Sequence, residues 1–179
     1  MIKVTIPASE LFDERTGEFL SLKKDITLSL EHSLVSISKW EAKWHKPFIS
    51  KDPKTKEELL DYVRCMTLTP NVDPNVYNFI NNNVLQEIVA YIDDSQTATW
   101  FSEDKKPPSR EIITSEVIYY WMVALQIPFE CQKWHLNRLL TLVRICNIKN
   151  QPDKHNRKMT AKERSALNKA RRAKHRSRG

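Results

Sequence analysis

Apolar and polar residues alternate along the first thirty positions, with the period of a β-strand that buries one face. Residues 3–6 (KVTI) are rich in β-branched side chains, and residues 25–30 (DITLSL) alternate strictly. Within residues 10–22, two short apolar runs flank the loop 13–17, which ends in glycine and is typical of a hairpin. We therefore expect a small antiparallel sheet or hairpin of three or four strands over residues 1–30.

From residue 33 onward the apolar positions recur every three or four residues, which predicts helices. Capping residues and prolines set their limits. The expected helices cover residues 33–45, 55–66, a short segment after Asp73-Pro74, 84–92, 114–125 and 128–148. The pattern predicts a mainly helical α+β fold with about six helices. Because the helix at 114–125 has almost no polar face, we expect it to be the central one.

Composition excludes several functional classes. The chain of 179 residues contains two glycines, Gly17 and Gly179. Phosphate-cradling loops need several glycines at fixed spacing, so P-loop and dinucleotide-binding folds are disfavoured. No apolar run approaches the roughly 18 residues of a membrane helix, and the first residues lack a signal-peptide layout. We expect a protein of the host cytoplasm that does not bind a membrane.

Charge divides the chain into two parts. Residues 149–179 hold twelve Lys/Arg and two acids, a net +10, whereas residues 1–148 are net −3. We therefore predict three segments: the sheet at 1–30, a helical body at 31–148 and a basic arm at 149–179. The arm contains a capping box at Thr160–Glu163 but little apolar surface, so we expect partial helicity.

The basic arm predicts an acidic partner, which is either a protein surface or the phosphates of a nucleic acid. A solvated tail without a partner is the alternative. The predicted contact residues are Lys158, Lys162, Arg164, Lys169, Arg171, Arg172, Lys174, Arg176 and Arg178.

No catalytic constellation is recognisable in the sequence. Nucleophile-elbow, zinc-protease and Walker patterns are absent. His32 and His45 flank the first predicted helix, where a hydrogen-bonded structural histidine is commoner than a catalytic one. Cys131, His135 and Cys146 could approach a metal, but a fourth ligand at suitable spacing is missing, which favours buried free cysteines. We expect no enzyme activity, no metal and no cofactor.

Five tryptophans are many for this length, and most of them should be core residues. Trp40 and Trp44 lie beside Lys39, Lys43 and Lys46 on the first predicted helix. Core packing is the favoured interpretation of this pair. A protein-binding surface comes second, and stacking on nucleic-acid bases is a further alternative.

Several segments together resemble small proteins of tailed bacteriophages. They are residues 31–41 (EHSLVSISKWE), 97–101 (TATWF), 116–122 (EVIYYWM), 128–130 (PFE) and 134–139 (WHLNRL), followed by the Ala/Arg/Lys-rich end. The group that the chain resembles most is the tail assembly chaperones of long-tailed phages.

This resemblance implies a non-enzymatic role. Such chaperones bind the long helical tape-measure protein, keep it soluble, help tail-tube subunits to polymerise around it, and are absent from the finished virion. A longer form with a C-terminal extension is often made by frameshifting in this family. The resemblance therefore implies that the basic arm is the segment that recruits a partner. A structural virion protein of the neck, connector or head, or a nucleic-acid-binding protein that uses the arm, remain alternatives. The sequence leaves the oligomeric state open.

Overall fold

The β-rich start of the chain forms two antiparallel strand pairs. In the sequence, both strands of one pair lie between the two strands of the other. In the computed structural model, β1 (Ile2–Ile6) pairs with β4 (Ile26–Leu30), and β2 (Ser9–Asp13) pairs with β3 (Glu18–Leu22) as a hairpin. Pro7 has no amide hydrogen to donate and follows β1 directly. The four expected strands and the hairpin are confirmed, but they form two separate two-stranded sheets rather than one.

The structure describes residues 1–13, 17–50, 52–101, 112–150 and 161–174. Within these ranges the helices are α1 (Leu34–Trp44), α2 (Lys56–Met66), α3 (Asn82–Asp93), α4 (Ser115–Ala124), α5 (Leu136–Asn150) and α6 (Ala161–Lys174), with 3₁₀ helices at Pro74–Phe79 and Phe129–Lys133. The expected α+β class with mainly helical content is confirmed.

The chain divides into two compact units, Met1–Ile145 and Cys146–Gly179. In the first unit, the alternation of β1 and β4 places Val4, Ile6 and Leu28 in the core, as the pattern predicts. α3 packs against β1, while α1 packs against α2 and α4. The largest fully buried side chains are Trp40, Tyr62, Ile6, Leu28, Leu30, Leu34, Ile37, Met66, Ile88, Ile118, Met122 and Leu139.

The segment that follows β4 is held by backbone hydrogen bonds to distant parts of the chain. The Glu31 amide donates to the Met66 carbonyl over 3.0 Å, and the Leu68 amide donates to the Ser29 carbonyl over 2.8 Å. The Leu136 amide donates to the His32 carbonyl over 2.7 Å. These bonds bring together the ends of β4 and α2 and the start of α5. The polar side chains of His32, Tyr62 and His135 lie where these elements meet.

The prediction of one helix over 128–148 is wrong. A 3₁₀ helix ends at Lys133, and α5 begins only at Leu136. His135 forms an isolated antiparallel bridge with Ser33, which requires extended backbone between the two helices. This bridge is a long-range contact, so the helical periodicity of the segment does not reveal it.

The prediction that the helix at 114–125 is central is also wrong. Only Ser115, Ile118 and Met122 of α4 are buried. Its remaining apolar side chains are half buried or exposed because α1 covers one side of the helix and leaves the other in solvent.

Within the part of the chain that the structure describes, left-handed turns are made without glycine at four positions. His45, Asn71, Gln96 and Gln126 all have φ between 50° and 55°. At the end of α4, Gln126 occupies the position that glycine usually takes, and the next amide, of Ile127, donates to the Met122 carbonyl over 2.8 Å. The low glycine content therefore does not prevent such turns.

Candidate functional site

His32, one of the two histidines that flank α1, lies in a buried polar cluster. Its Nδ1 is 2.5 Å from the hydroxyl oxygen of Tyr62, and its ring centre is 5.0 Å from that of His135. Burial, and to a smaller extent the neighbouring His135, lower the pKa of His32 to about 3. A neutral imidazole whose Nδ1 accepts a hydrogen bond from the Tyr62 hydroxyl fits this geometry, which favours the structural interpretation of His32.

His135 also has a structural arrangement. The Asn137 amide donates to its Nδ1 over 3.3 Å, so the ring proton lies on Nε2, which donates to the Tyr91 carbonyl over 3.0 Å. Burial lowers the pKa of His135. In this neutral form His135 caps the start of α5 through its side chain.

Cys131, His135 and Cys146 are the residues that could approach a metal. Both ring nitrogens of His135 are engaged, Cys131 is buried and Cys146 is half buried, and all three cysteines of the chain are free. Burial raises the pKa of the Cys131 thiol, which disfavours the thiolate that a metal needs. Among the described residues, no group of three or more His, Cys, Asp or Glu side chains is placed to hold a metal ion.

Trp40 and Trp44 pack between α1 and α2. Trp40 is 1% exposed, and its indole nitrogen donates to the Glu58 carbonyl over 2.9 Å. Trp44 is half buried, stacks on Trp40 at 6.1 Å between ring centres, and donates to Asp61 over 2.8 Å. Trp40 is thus a core residue, in line with the favoured interpretation, and partner binding by these tryptophans stays a prediction.

Two of the three lysines beside these tryptophans are paired with acids of α2. The Nζ atom of Lys43 lies 2.5 Å from Oδ1 of Asp61. The Nζ atom of Lys46 lies 2.6 Å from Oε1 of Glu58. The hydrogen bond from Lys46 lowers the pKa of the Glu58 carboxyl. These carboxylates offset the charge of Lys43 and Lys46, which disfavours the interpretation of this surface as a cationic platform for stacking on bases.

A cavity of about 260 Å³ lies between α1 and the start of α2. Its wall includes Lys54, whose ammonium group lies 4.6 Å from the ring centre of Phe48. Burial lowers the pKa of Lys54. The volume of this cavity is below the roughly 300 Å³ of the smallest usual ligand pockets, so we assign no ligand to it.

The tryptophans are less buried than expected. Trp40 alone is in the core; Trp44, Trp121 and Trp134 are half buried, and Trp100 is exposed. The prediction that most of them are core residues is therefore wrong.

Sequence reasoning missed an exposed apolar surface on α4. Tyr120 is 68% exposed, Val123 60% and Phe129 of the following 3₁₀ helix 53%. The half-buried Tyr119 connects them, since its ring centre lies 6.4 Å from that of Phe129. We call Tyr119, Tyr120, Val123 and Phe129 the aromatic face. Its signal in the sequence is the run of apolar residues at 117–125, which predicts a central helix but does not show which side is covered.

The second unit contains the other candidate surface. Of the nine predicted arm residues, Lys162, Arg164, Lys169, Arg171 and Arg172 have exposed side chains on α6. We call these five the basic face. Lys174 is the last residue of α6, whereas Lys158, Arg176 and Arg178 lie outside the described residues, as does the predicted cap Thr160.

No protein-family model, curated protein or solved structure matches this chain. Across the ranges that the structure describes, none of the helices has the length and apolar character needed to cross a membrane.

Proposed function

We propose that the protein is a non-enzymatic phage assembly factor that acts in the host cytoplasm. In this role it is a tail assembly chaperone, which binds the tape-measure protein and aids tail-tube polymerisation. The resemblance of segments 31–41, 116–122 and 134–139 to such chaperones suggests this partner. The observation that carries the proposal is the aromatic face, a solvent-exposed apolar surface on a well-formed helix.

The chemistry of the aromatic face suits a helical protein partner. Contiguous exposed apolar patches on soluble proteins commonly mark interaction sites. Tyrosine and phenylalanine are enriched in such sites because their rings bury a large area, while the tyrosine hydroxyls tolerate water when the partner is absent. On the outward side of α4, Glu116 is the one charged residue. An apolar helix face of this kind can lie along the apolar stripe of a second helix.

A co-purification experiment tests the proposal. Full-length protein is co-expressed with a tape-measure protein and tail-tube subunits, then captured with and without nuclease. The double variant Tyr120→Gln/Val123→Gln should lower recovery of the tape-measure protein at least tenfold, because both changes place polar groups in the contact. Nuclease should leave recovery by the unsubstituted protein unchanged.

The control is Leu68→Gln/Ile112→Gln, which replaces two comparably exposed apolar residues outside the aromatic face. This control should recover the partner as well as the unsubstituted protein does. Equal recovery by both double variants contradicts the assignment of the aromatic face. Retention of the protein in finished particles at fixed copy number contradicts the chaperone role and favours a neck, connector or head protein.

A further inference from the structure

Five of the six cations of α6 are concentrated on one side of the helix. Successive residues turn by about 100° around an α-helix, so Lys162, Arg164, Lys169, Arg171 and Arg172 fall within about half of its circumference. All five side chains are exposed. The opposite half holds Ala166, Leu167, Ala170, Ala173, the sixth cation Lys174 and the single acid of the helix, Glu163.

We propose that the basic face binds the phosphate backbone of double-stranded nucleic acid without preference for base sequence. This inference does not rest on the assembly function, because it concerns a different surface and a different class of partner. DNA and RNA present the same phosphate chemistry, and the experiment below distinguishes them.

The dimensions of α6 match those of a duplex. The basic face runs from residue 162 to residue 172, which is about 15 Å along the helix axis. A duplex carries one negative charge per roughly 1.7 Å of its axis, so a segment of this length presents several phosphates. An α-helix is about as wide as the major groove of DNA, and Ser165 and Asn168 between the cations are small enough to allow close approach.

The side chains of the basic face favour phosphate over an acidic protein surface. Three of the five are arginines, whose planar guanidinium groups bind phosphate oxygens in pairs. Stable protein interfaces also need a buried apolar or aromatic centre. The basic face has none, and the opposite half of α6 offers mainly alanines and Leu167. Binding through charge alone is the usual mode of nucleic-acid contact.

The wide arc of the basic face also argues against base-specific recognition. Reading of bases requires a few side chains that point at base edges along one line of the helix. Cations spread over half of the circumference instead reach the phosphates on both sides of a groove, which positions the helix without reading sequence.

Fluorescence anisotropy of the full-length protein tests the proposal. The probes are two labelled 25-base-pair DNA duplexes of unrelated sequence and an RNA duplex, titrated at several salt concentrations. The test variant replaces the five residues of the basic face with Gln, which preserves helix propensity. Its Kd at 0.1 M salt should rise at least tenfold. The log–log salt slope should become shallower by up to about 4.5, since each phosphate contact contributes roughly 0.9.

Two matched variants separate the basic face from general charge and from folding. Gln at the exposed residues Lys3, Lys23, Lys24, Lys39 and Lys56 removes the same charge from the first unit and should leave Kd within about twofold. Arg164→Lys/Arg171→Lys/Arg172→Lys keeps the charge and should retain the salt slope. Far-UV circular dichroism checks that helicity is equal in all variants.

The two DNA sequences should bind equally, and binding to the RNA duplex as well would assign the site to duplex phosphates in general. The proposal is overturned if the unsubstituted protein binds no duplex at 50 mM salt, or if both five-residue variants weaken binding equally. Competition by polyglutamate at the same charge concentration as duplex DNA would also overturn it, and would point to an acidic protein partner.

Discussion

Single buried polar side chains connect segments that lie far apart in the sequence. Glu41 of α1 is buried, and its two carboxylate oxygens accept from the amides of Phe48 and Ser115, each over 2.7 Å. Thr114, which precedes α4, makes no side-chain capping bond. The Glu41 carboxylate, which is distant in sequence but in direct contact, therefore supplies the acceptor and the negative charge that favour the N-terminus of α4.

The buried neutral His32 makes stability depend on pH. Its folded pKa of about 3 lies below the ordinary value of 6.5 that applies in the unfolded chain. Below pH 6.5 the unfolded chain therefore binds a proton that the folded chain does not, and stability falls as pH falls towards 3. From pH 7.5 to pH 5, His32 alone should lower the free energy of unfolding by about 2 kcal/mol.

Urea unfolding of the protein and of His32→Gln at both pH values measures this effect. The free energy of unfolding of the protein exceeds that of His32→Gln by an amount that should be about 2 kcal/mol smaller at pH 5 than at pH 7.5. The reason is that glutamine at position 32 does not titrate. Ile37→Val is the control: it removes one buried methyl group at a cost of about 1 kcal/mol that should be the same at both pH values. An unchanged difference for His32→Gln would refute the role of His32.

At the scale of elements, the helix termini follow local chemistry. Thr55 and Glu58 form the expected capping box at the start of α2, and Asp73 caps the following 3₁₀ helix as predicted. The run Asn81–Asn83 precedes the helix predicted at 84–92, and in the structure it begins α3: the Asn81 side chain accepts from the Val84 amide over 2.9 Å. An asparagine can thus start a helix or separate two helices, and the sequence pattern alone does not distinguish the two.

Asn81→Ala should lower the free energy of unfolding by about 1 kcal/mol, because the Val84 amide loses its acceptor. Asn82, the next residue and the first of α3, provides the control. Asn82→Ala should be neutral or slightly stabilising, since alanine is the better helix former. Thermal or urea unfolding of both variants measures the difference, and equal effects would show that the cap does not contribute.

For the molecule as a whole, charge distribution matters more than net charge. The formal net charge of +7 combines a net +10 in residues 149–179 with a net −3 in residues 1–148. Clustered charges on one helix produce a stronger local potential than the same charges scattered over a surface. The behaviour of the protein towards polyanions should therefore follow α6.

Cation-exchange chromatography tests this with the two five-residue Gln variants defined above. Both have a formal net charge of +2, five below that of the unsubstituted chain. The variant without the basic face should elute at distinctly lower salt than the variant that lacks five lysines of the first unit. Coincident elution would show that net charge alone controls binding to the resin.

The sequence predicted the fold class, the four strands and most helices because these depend on local periodicity and on local caps. Ile26, Leu28 and Leu30 alternate with polar residues in a short window, and Thr55 lies three residues from its partner Glu58. The residues of the basic face were predicted for the same reason, since a dense run of Lys and Arg cannot be buried. For the aromatic face, the apolar run was visible but its exposure was not.

The remaining features depend on contacts between residues that are distant in the chain. The Glu41–Ser115 bond joins residues 74 positions apart, and the bridge between Ser33 and His135 breaks a segment that is locally helical. The exposure of Tyr120 and Val123 reflects which elements pack around α4, and the helical run at 117–125 has the same pattern whether or not a neighbour covers it. A local pattern specifies which side chains avoid water, but the packing of the other elements determines which of them are covered and which remain available to a partner.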